Sequence, residues 1–260
     1  NYGRTPITDI YKVIEDDLKD AAKKLEPSYG SDDLGRATSV AAEALLGKVY
    51  LTEKKWSDAV ALLDNLIQTY SSQYGLLDNI ADVFNVNNEM NKEILFAVRY
   101  SKSVIGEGHG YNDYFKDKSV IYSELKASYG STDERLDMIE YKKVDANNNV
   151  IAKYYDTFDA TTAKVGFDLP LLRWADVLLM CAEAHNEVAY DGTEDGKAMS
   201  SLNMVRGRAK AVTYTSTELS DQNSFRKAVL EERRLEFPFE LHRWFDLIRT
   251  DTAIDAMAKV

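Results

Sequence analysis

Carboxylates are the most abundant groups able to do chemistry in this chain: 43 Asp and Glu against 32 Lys and Arg in 260 residues, a formal net charge of −11. Two carboxyls flanking a groove can hydrolyse a glycosidic bond, one giving a proton while the other attacks or activates water. The densest candidate is E-E-R-R-L-E-F-P-F-E-L-H-R-W-F-D-L-I-R at residues 231–249. Every acid in it has an arginine close by, and such pairing keeps a carboxylate ionised instead of tuning it to act as an acid. Glu232, Glu236, Glu240 and Arg243 are spaced to share one helical face, so this stretch predicts structural ion pairs.

The remaining chemistry is thinner. Asp145-x-Asn147-x-Asn149 has the opening spacing of a calcium loop, with Asp156 at the twelfth position, but Val150 stands where that loop needs glycine for its turn. A polar hairpin turn accounts for the same residues. His109, His185 and His242 are scattered, without the H-E-x-x-H or Cys/His spacings of a catalytic metal site. The one cysteine, Cys181, lies inside an apolar run and reads as a small buried side chain. No G-x-S-x-G elbow and no phosphate-cradling glycine loop occurs, so neither an acyl-transfer nucleophile nor a cofactor is expected. The negative charge argues against nucleic acid, whose phosphates require clustered Lys and Arg.

Aromatic residues point elsewhere, to binding. Sixteen tyrosines is a high number, and Tyr100, Tyr111, Tyr114, Tyr122, Tyr129, Tyr141, Tyr154 and Tyr155 concentrate in one region. A sugar ring has an apolar C–H face and a polar rim, so it stacks on an aromatic while its hydroxyls meet amides or carboxylates. Tyr111, Tyr114 and Phe115 stand beside Asn112 and Asp113 in a glycine-bearing loop, with Tyr122 shortly after. These six residues are the candidate ligand-binding set, on a loop of the kind that often carries function. The competing reading is that such tyrosines pack the loop onto its support.

That support is predicted to be helical. Residues 168–188, D-L-P-L-L-R-W-A-D-V-L-L-M-C-A-E-A-H-N-E-V, carry Leu171, Ala175, Leu178 and Ala182 at helical spacing, with an unbroken apolar run at 177–182. This predicts a core helix capped by Asp168, with Pro170 in its first turn and only Asp176, Glu183 and Glu187 on a polar stripe. A second helix presents Ala198, Leu202, Val205 and Ala209 on one face, after an acidic turn at 191–196. Upstream, residues 8–25 repeat apolar side chains at Ile10, Ile14, Leu18, Ala21 and Leu25. Leu46-Gly47-x-x-Tyr50, followed by Ala59 and Leu63, has the pattern of one tetratricopeptide repeat, in which small residues let two helices approach. Lys54, Lys55, Trp56 and Ser57 make its turn, with Ser57 as the expected cap. Trp56, Trp174 and Trp244 are expected to pack rather than to form a platform.

Between the two hairpins lies an insertion, about residues 71–167, with a different texture. Residues 93–100 read as a strand, and 139–144 with 150–155 as a β-hairpin turning through 145–149. At 224–248 a helical pattern is interrupted by Pro238, which should kink or split it, with Trp244, Phe245, Leu247 and Ile248 packing inward. The expected fold is mainly α, with tetratricopeptide-like helical hairpins and an irregular, partly β insertion, in one domain over residues 1–260.

The wording of several stretches goes further. L-L-R-W-A-D-V-L-L-M-C-A-E-A with L-N-M-V-R-G-R-A, and E-E-R-R-L-E-F-P-F-E-L-H-R-W-F-D-L-I-R, resemble the signature of the SusD/RagB family. So do I-T-D-I-Y-K-V-I-E-D-D-L-K-D-A, G-R-A-T-S-V-A-A-E-A-L-L-G-K-V-Y-L, K-E-I-L-F-A-V and the acidic residue–x–Arg element within residues 131–135. The resemblance implies a surface lipoprotein of the Bacteroidetes outer membrane that binds nutrients without cleaving them. Its ligands would be glycans, or peptides as in RagB-like members, and its partner a SusC-like TonB-dependent transporter. A tetratricopeptide adaptor that binds a protein segment is the alternative outside the family. Leu241 stands where the family usually has glycine, in E-G-x-R. The lipidated N-terminus and the Pro- and Asn-rich tail of the family are not in this sequence, which therefore reads as an internal fragment, its membrane contact made only through the missing lipid anchor. The family motifs are structural and transfer no ligand residues.

Overall fold

A computed structural model describes residues 3–108, 123–143, 149–157 and 165–258. Helix α1 (Ile7–Lys24) packs on α2 (Ser39–Thr52), and α2 in turn on α3 (Trp56–Tyr70). Thr38 starts α2, its hydroxyl accepting from the Ala41 N–H at 3.1 Å. Both faces of α2 are covered: Val40, Ala44, Leu46, Gly47, Tyr50 and Leu51 are all buried. Gly47 is where this hairpin closes, because a Cβ there would stand 2.7 Å from Leu63 Cδ2. The small residue of the repeat pattern thus allows the close approach that the spacing predicts, and Leu63 is the side chain that lies against it. The cap does not follow the prediction. Helix α3 begins at Trp56 with Lys55 before it and no side-chain cap, so Ser57 already lies inside the helix. Lys54, at φ 59°, makes the reversal instead.

The second hairpin begins later than its apolar periodicity predicts. Residues 169–173 are extended, forming β4 (Leu169–Arg173) antiparallel to β1 (Ile94–Val98), and the helix proper is α7 (Trp174–Ala189). Two physical reasons decide this. The residue before a proline is pushed out of the helical region, which disfavours a helix running through Leu169 and Pro170. Asp168 is also unavailable as a helix cap, since its carboxylate accepts from the Tyr100 N–H at 3.0 Å and from Arg99 Nε at 3.1 Å. The Trp174 N–H donates to the Glu93 carbonyl at 2.8 Å, so the start of α7 is set by the strand upstream. Every residue of α7 from Trp174 to Ala184 is buried. This helix is the centre of the molecule, packing against α2, α3, α9 (Gln222–Glu236) and α8 (Lys197–Arg208), whose Ala198, Leu202 and Val205 face inward.

The described part of the insertion is irregular and partly β, as expected. It holds α4 (Ile80–Val83), strand β1, α5 (Ser123–Ala127), α6 (Arg135–Ile139) and the antiparallel hairpin of β2 (Tyr141–Lys143) and β3 (Asn149–Ile151), with Tyr141 opposite Ile151. The β1–β4 pairing ties this region to the helical frame.

At the other end, Asp221 caps α9 by accepting from the Asn223 and Ser224 N–H groups, completing a capping box with Ser224. The helix stops at Glu236, and after Pro238 the chain reverses through Phe239 and Leu241, both near φ +65°, into α10 (Arg243–Arg249). The split at Pro238 is the one expected, but the packing of α10 is not. Trp244, Phe245 and Ile248 are each more than half exposed, and Leu247 is half-buried. In so short a helix the inward positions are held by Asp246 and Arg249, both ion-paired, which turns the aromatic neighbours outward. A final turn, α11 (Ala253–Met257), follows.

Leu241 carries the consequence of a missing glycine. It is 63% exposed, so its side chain gains little from burial, while its left-handed backbone costs a residue with a Cβ about 1–2 kcal/mol. Leu241→Gly is expected to raise the unfolding free energy by about 0.5–1 kcal/mol after the greater freedom of glycine in the unfolded chain is deducted. Urea denaturation measures it; a loss of stability would show that the turn is not strained.

Candidate functional site

The charged motif at residues 231–249 folds into two buried ion-pair clusters. In the first, Glu232 and Glu236 project from α9 and Glu240 from the turn after it. Arg135 of α6 reaches Glu232 at 2.6 Å, Glu236 at 3.2 Å and its own neighbour Asp133 at 2.8 Å. Arg173, at the end of β4, meets Glu93 at 2.6 Å, Glu236 at 3.1 Å and Glu240 at 2.7 Å. Arg208 bridges Glu93 and Glu236, Arg206 takes the second oxygen of Glu232, and Lys153 ends on Glu240. Asp133, Glu93, Glu232, Glu236 and Glu240 are thus matched by Arg135, Lys153, Arg173, Arg206 and Arg208.

Burial by itself would raise the pKa of Glu236. The cations around it, Arg208 first and then Arg173, Arg135 and Lys153, win and hold it at about 2. Burial is likewise opposed at Glu240, where Arg173 and Lys153 keep the carboxyl below its usual range. A general acid needs the opposite shift. These carboxylates are structural, as their neighbouring arginines predict.

The second cluster joins α7, α9 and α10. Asp176 accepts from Lys48 at 2.8 Å and from Arg233 at 2.7 Å; Arg233 continues to Asp246 at 2.8 Å, and Arg249 to Asp246 at 2.7 Å and Glu183 at 2.8 Å. His242 closes it, with Lys48 Nζ 3.0 Å from its Nδ1. An ammonium has no lone pair to offer, so Nδ1 is the acceptor and the ring is neutral. Burial lowers its pKa, Asp176 opposes and Lys48 assists, leaving it at about 4.

Surface concavities lie away from both clusters. Among the described residues, one that joins polar groups to an aromatic ring is a groove of about 430 Å³ among α4, the β2–β3 hairpin and the segment after it. Asn85, Asn87, Lys142, Tyr155 and Thr157 line it over a floor that includes Phe84, Met138 and Ala152. Lys142 Nζ lies 5.6 Å from the Tyr155 ring centroid, a cation–π contact. Asp156, beside it, accepts from Lys102 at 2.6 Å, the Thr157 N–H at 2.7 Å and the Gly166 N–H at 2.9 Å. Its carboxylate is therefore engaged by protein donors. Asp145 and Asn147 of the calcium-like spacing lie outside the described residues.

So do all six residues of the aromatic-loop set, Tyr111, Asn112, Asp113, Tyr114, Phe115 and Tyr122, together with His109. Several other tyrosines of the region pack. Tyr129 donates to the Leu235 carbonyl at 2.9 Å, and Tyr154 stacks on Phe167 at 5.1 Å. Trp174 is buried and stacks on Tyr74 at 6.2 Å, and Trp56 is partly buried against the core, as expected of packing residues. Trp244 is instead exposed. Sequence reasoning counted Tyr155 among the tyrosines of the insertion but missed Asn85, Asn87 and Lys142. The signal available was the polar run N-V-N-N at 85–88 directly after the apolar turn of α4.

The SusD family model matches residues 81–259 of the chain. SusD-like protein P25 of Formosa agariphila is 28% identical, an alignment covering 98% of this chain and 58% of that protein. A SusD-like protein of Bacteroides ovatus is 27% identical over 92% of this chain and 50% of its own length. The chain thus spans between half and three-fifths of these relatives. Among solved structures, a laminarin binding SusD-like protein superposes with a TM-score of 0.77 at 26% identity, over 97% of this chain and 63% of that one.

Two outcomes follow from the buried clusters. Glu236→Gln removes the negative charge shared by three buried arginines and turns one acceptor oxygen into a donor, which should cost about 3–5 kcal/mol, read by urea denaturation; a cost below 1 kcal/mol would show that the cluster is not charge-matched. For His242, the unfolded imidazole protonates near 6.5 and the folded one near 4. The unfolded chain therefore binds the proton first, and stability falls as pH drops from about 6.5 towards 4, by at most about 3 kcal/mol. His242→Gln should flatten the stability profile over that interval. Below about 4.5 the loss from Glu236 begins, and the variant should retain it.

Proposed function

This chain belongs to the SusD family, and we propose that it binds glycans at a cell surface, without cleaving them, for uptake through a SusC-like TonB-dependent transporter. The observation that carries this reading is the division of labour between interior and surface. The acids that resemble a hydrolytic centre are locked to arginines, while the groove offers an aromatic ring beside two amides and an ammonium group. That combination suits an uncharged polyol, whose C–H face stacks and whose hydroxyls hydrogen-bond. The laminarin-binding relative supports a β-glucan-like ligand as the first to try. Attachment to the outer membrane by a lipid belongs to the same proposal. Among the described residues no helix is long and apolar enough to cross a membrane.

Within this reading Tyr111, Asn112, Asp113, Tyr114, Phe115 and Tyr122 form one part of the ligand surface and Tyr155 with Asn85 and Asn87 another. Isothermal calorimetry against a polysaccharide panel that includes laminarin should find one class of glycan bound. Tyr155→Ala should weaken it about tenfold, and Tyr111→Ala with Tyr114→Ala by at least as much, the usual cost of truncating an aromatic anchor. Unchanged affinity in the double variant would remove those residues from the site. Retention of a peptide library with no glycan bound would replace the glycan reading by peptide capture.

A further inference from the structure

One cluster of metal-ligating side chains lies outside everything described so far, where α3 packs on α7. Cys181 and His185 are four residues apart on α7 and so share a face. Asp64 comes across from α3: its Oδ1 lies 3.5 Å from Cys181 Sγ, and both its oxygens lie 3.1 Å from His185 Nε2. All three potential ligand atoms fall within 4.8 Å of one another. We propose that Asp64, Cys181 and His185 form a binding site for a borderline-soft divalent cation of the zinc class, clamping the tetratricopeptide-like hairpin to the central helix.

The geometry carries the assignment. With a metal–sulfur bond near 2.3 Å and metal–nitrogen or –oxygen bonds near 2.0–2.2 Å, a tetrahedral site sets its ligand atoms roughly 3.3–3.6 Å apart. The two edges that end on Asp64 already stand near those lengths, and the third, between Cys181 and His185, lies within 4.8 Å, so side-chain rotation on one helix face has to close that edge. A thiolate, an imidazole and one carboxylate form a donor set for Zn²⁺ or Co²⁺; Ca²⁺ and Mg²⁺ require oxygen ligands. The cysteine forms a buried floor, whereas the His185 and Asp64 side chains are 22% and 34% exposed. A cation can therefore arrive from solvent and keep a water as its fourth ligand.

Protons balance as follows. Burial first, and the Asp64 charge next, push the thiol up to about 12, so it stays protonated until a cation offsets both effects. On binding, Cys181 releases its proton to solvent, and the Nε2 proton that faces Asp64 is given up through solvent while Nδ1 holds one, so that the neutral ring turns its Nε2 lone pair to the cation. One proton is lost for each ion bound. The Ser201 hydroxyl, 3.8 Å from Sγ, then points a donor at the thiolate.

Because Cys181 is the sole cysteine of the sequence, a thiolate–metal signal can arise from nowhere else. Chelator-treated, tag-free chain titrated with Co²⁺ should develop near-ultraviolet sulfur-to-cobalt charge-transfer absorption saturating at one equivalent, with a Kd below about 10 µM. Thermal unfolding should shift upward by several degrees at saturating Co²⁺ or Zn²⁺. Cys181→Ser should abolish the band. His185→Gln, at the solvent-facing rim, should weaken binding at least tenfold. Absence of the band in the unmodified chain at 1 mM Co²⁺ would overturn the site, and so would a band undiminished in His185→Gln. Neither result depends on a substituted core refolding.

Discussion

Glu236 is the group on which the arrangement of this molecule depends. It is fully buried at the end of α9, and arginines from α6, β4 and α8 converge on it. A carboxylate taken out of water without compensation costs several kcal/mol, so none of these elements can be placed independently of the others. Glu93, contributed from just before β1, is held by two of the same arginines. Five separate parts of the chain are thereby drawn together by charge neutralisation, and apolar packing around α7 fills the space beside them. The same ionic anchors place the groove. Lys153, bound to Glu240, is two residues from Tyr155, and Arg135 lies in the helix that leads into β2 and Lys142.

Much of the frame was legible in the sequence because its determinants are local. The positions of α2, α3, α7 and α8 follow from apolar spacing, and the approach of the first pair from one small residue. What was not legible depends on partners distant in sequence. Residues 169–172 are as compatible with a helix as with a strand until Ile94–Val98 is known to lie alongside. Asp168 looks like a cap until Arg99 and the Tyr100 amide compete for it. Trp244 and Phe245 look like core until Asp246 and Arg249 occupy the inward side of α10. Each failure has one cause: a long-range polar contact outranked a local apolar pattern.

The candidate site divides the same way. That the acids of residues 231–249 are structural was readable, since their counter-charges alternate with them in the motif. The groove was not, because Asn85, Lys142 and Tyr155 come from three segments that only the folded chain brings together. Nor was the meeting of Asp64 with Cys181 and His185. Cys181 reads from its apolar neighbours as a small buried side chain and His185 as an isolated histidine, because the third member comes from another hairpin.

The pairing of β1 with β4 has a consequence for the order in which the chain acquires its shape. The hairpin of α2 and α3 contains nearest-neighbour contacts and needs no other part of the molecule to begin forming. The first turn of the central helix, in contrast, is fixed by a hydrogen bond from Trp174 to Glu93 and by a strand ending at Val98, far from Leu169 in sequence. Closing a loop of that size carries an entropic cost before any contact rewards it. The boundary of the most deeply buried helix is therefore set by contacts distant in sequence, and during synthesis that helix emerges after the strand that defines it.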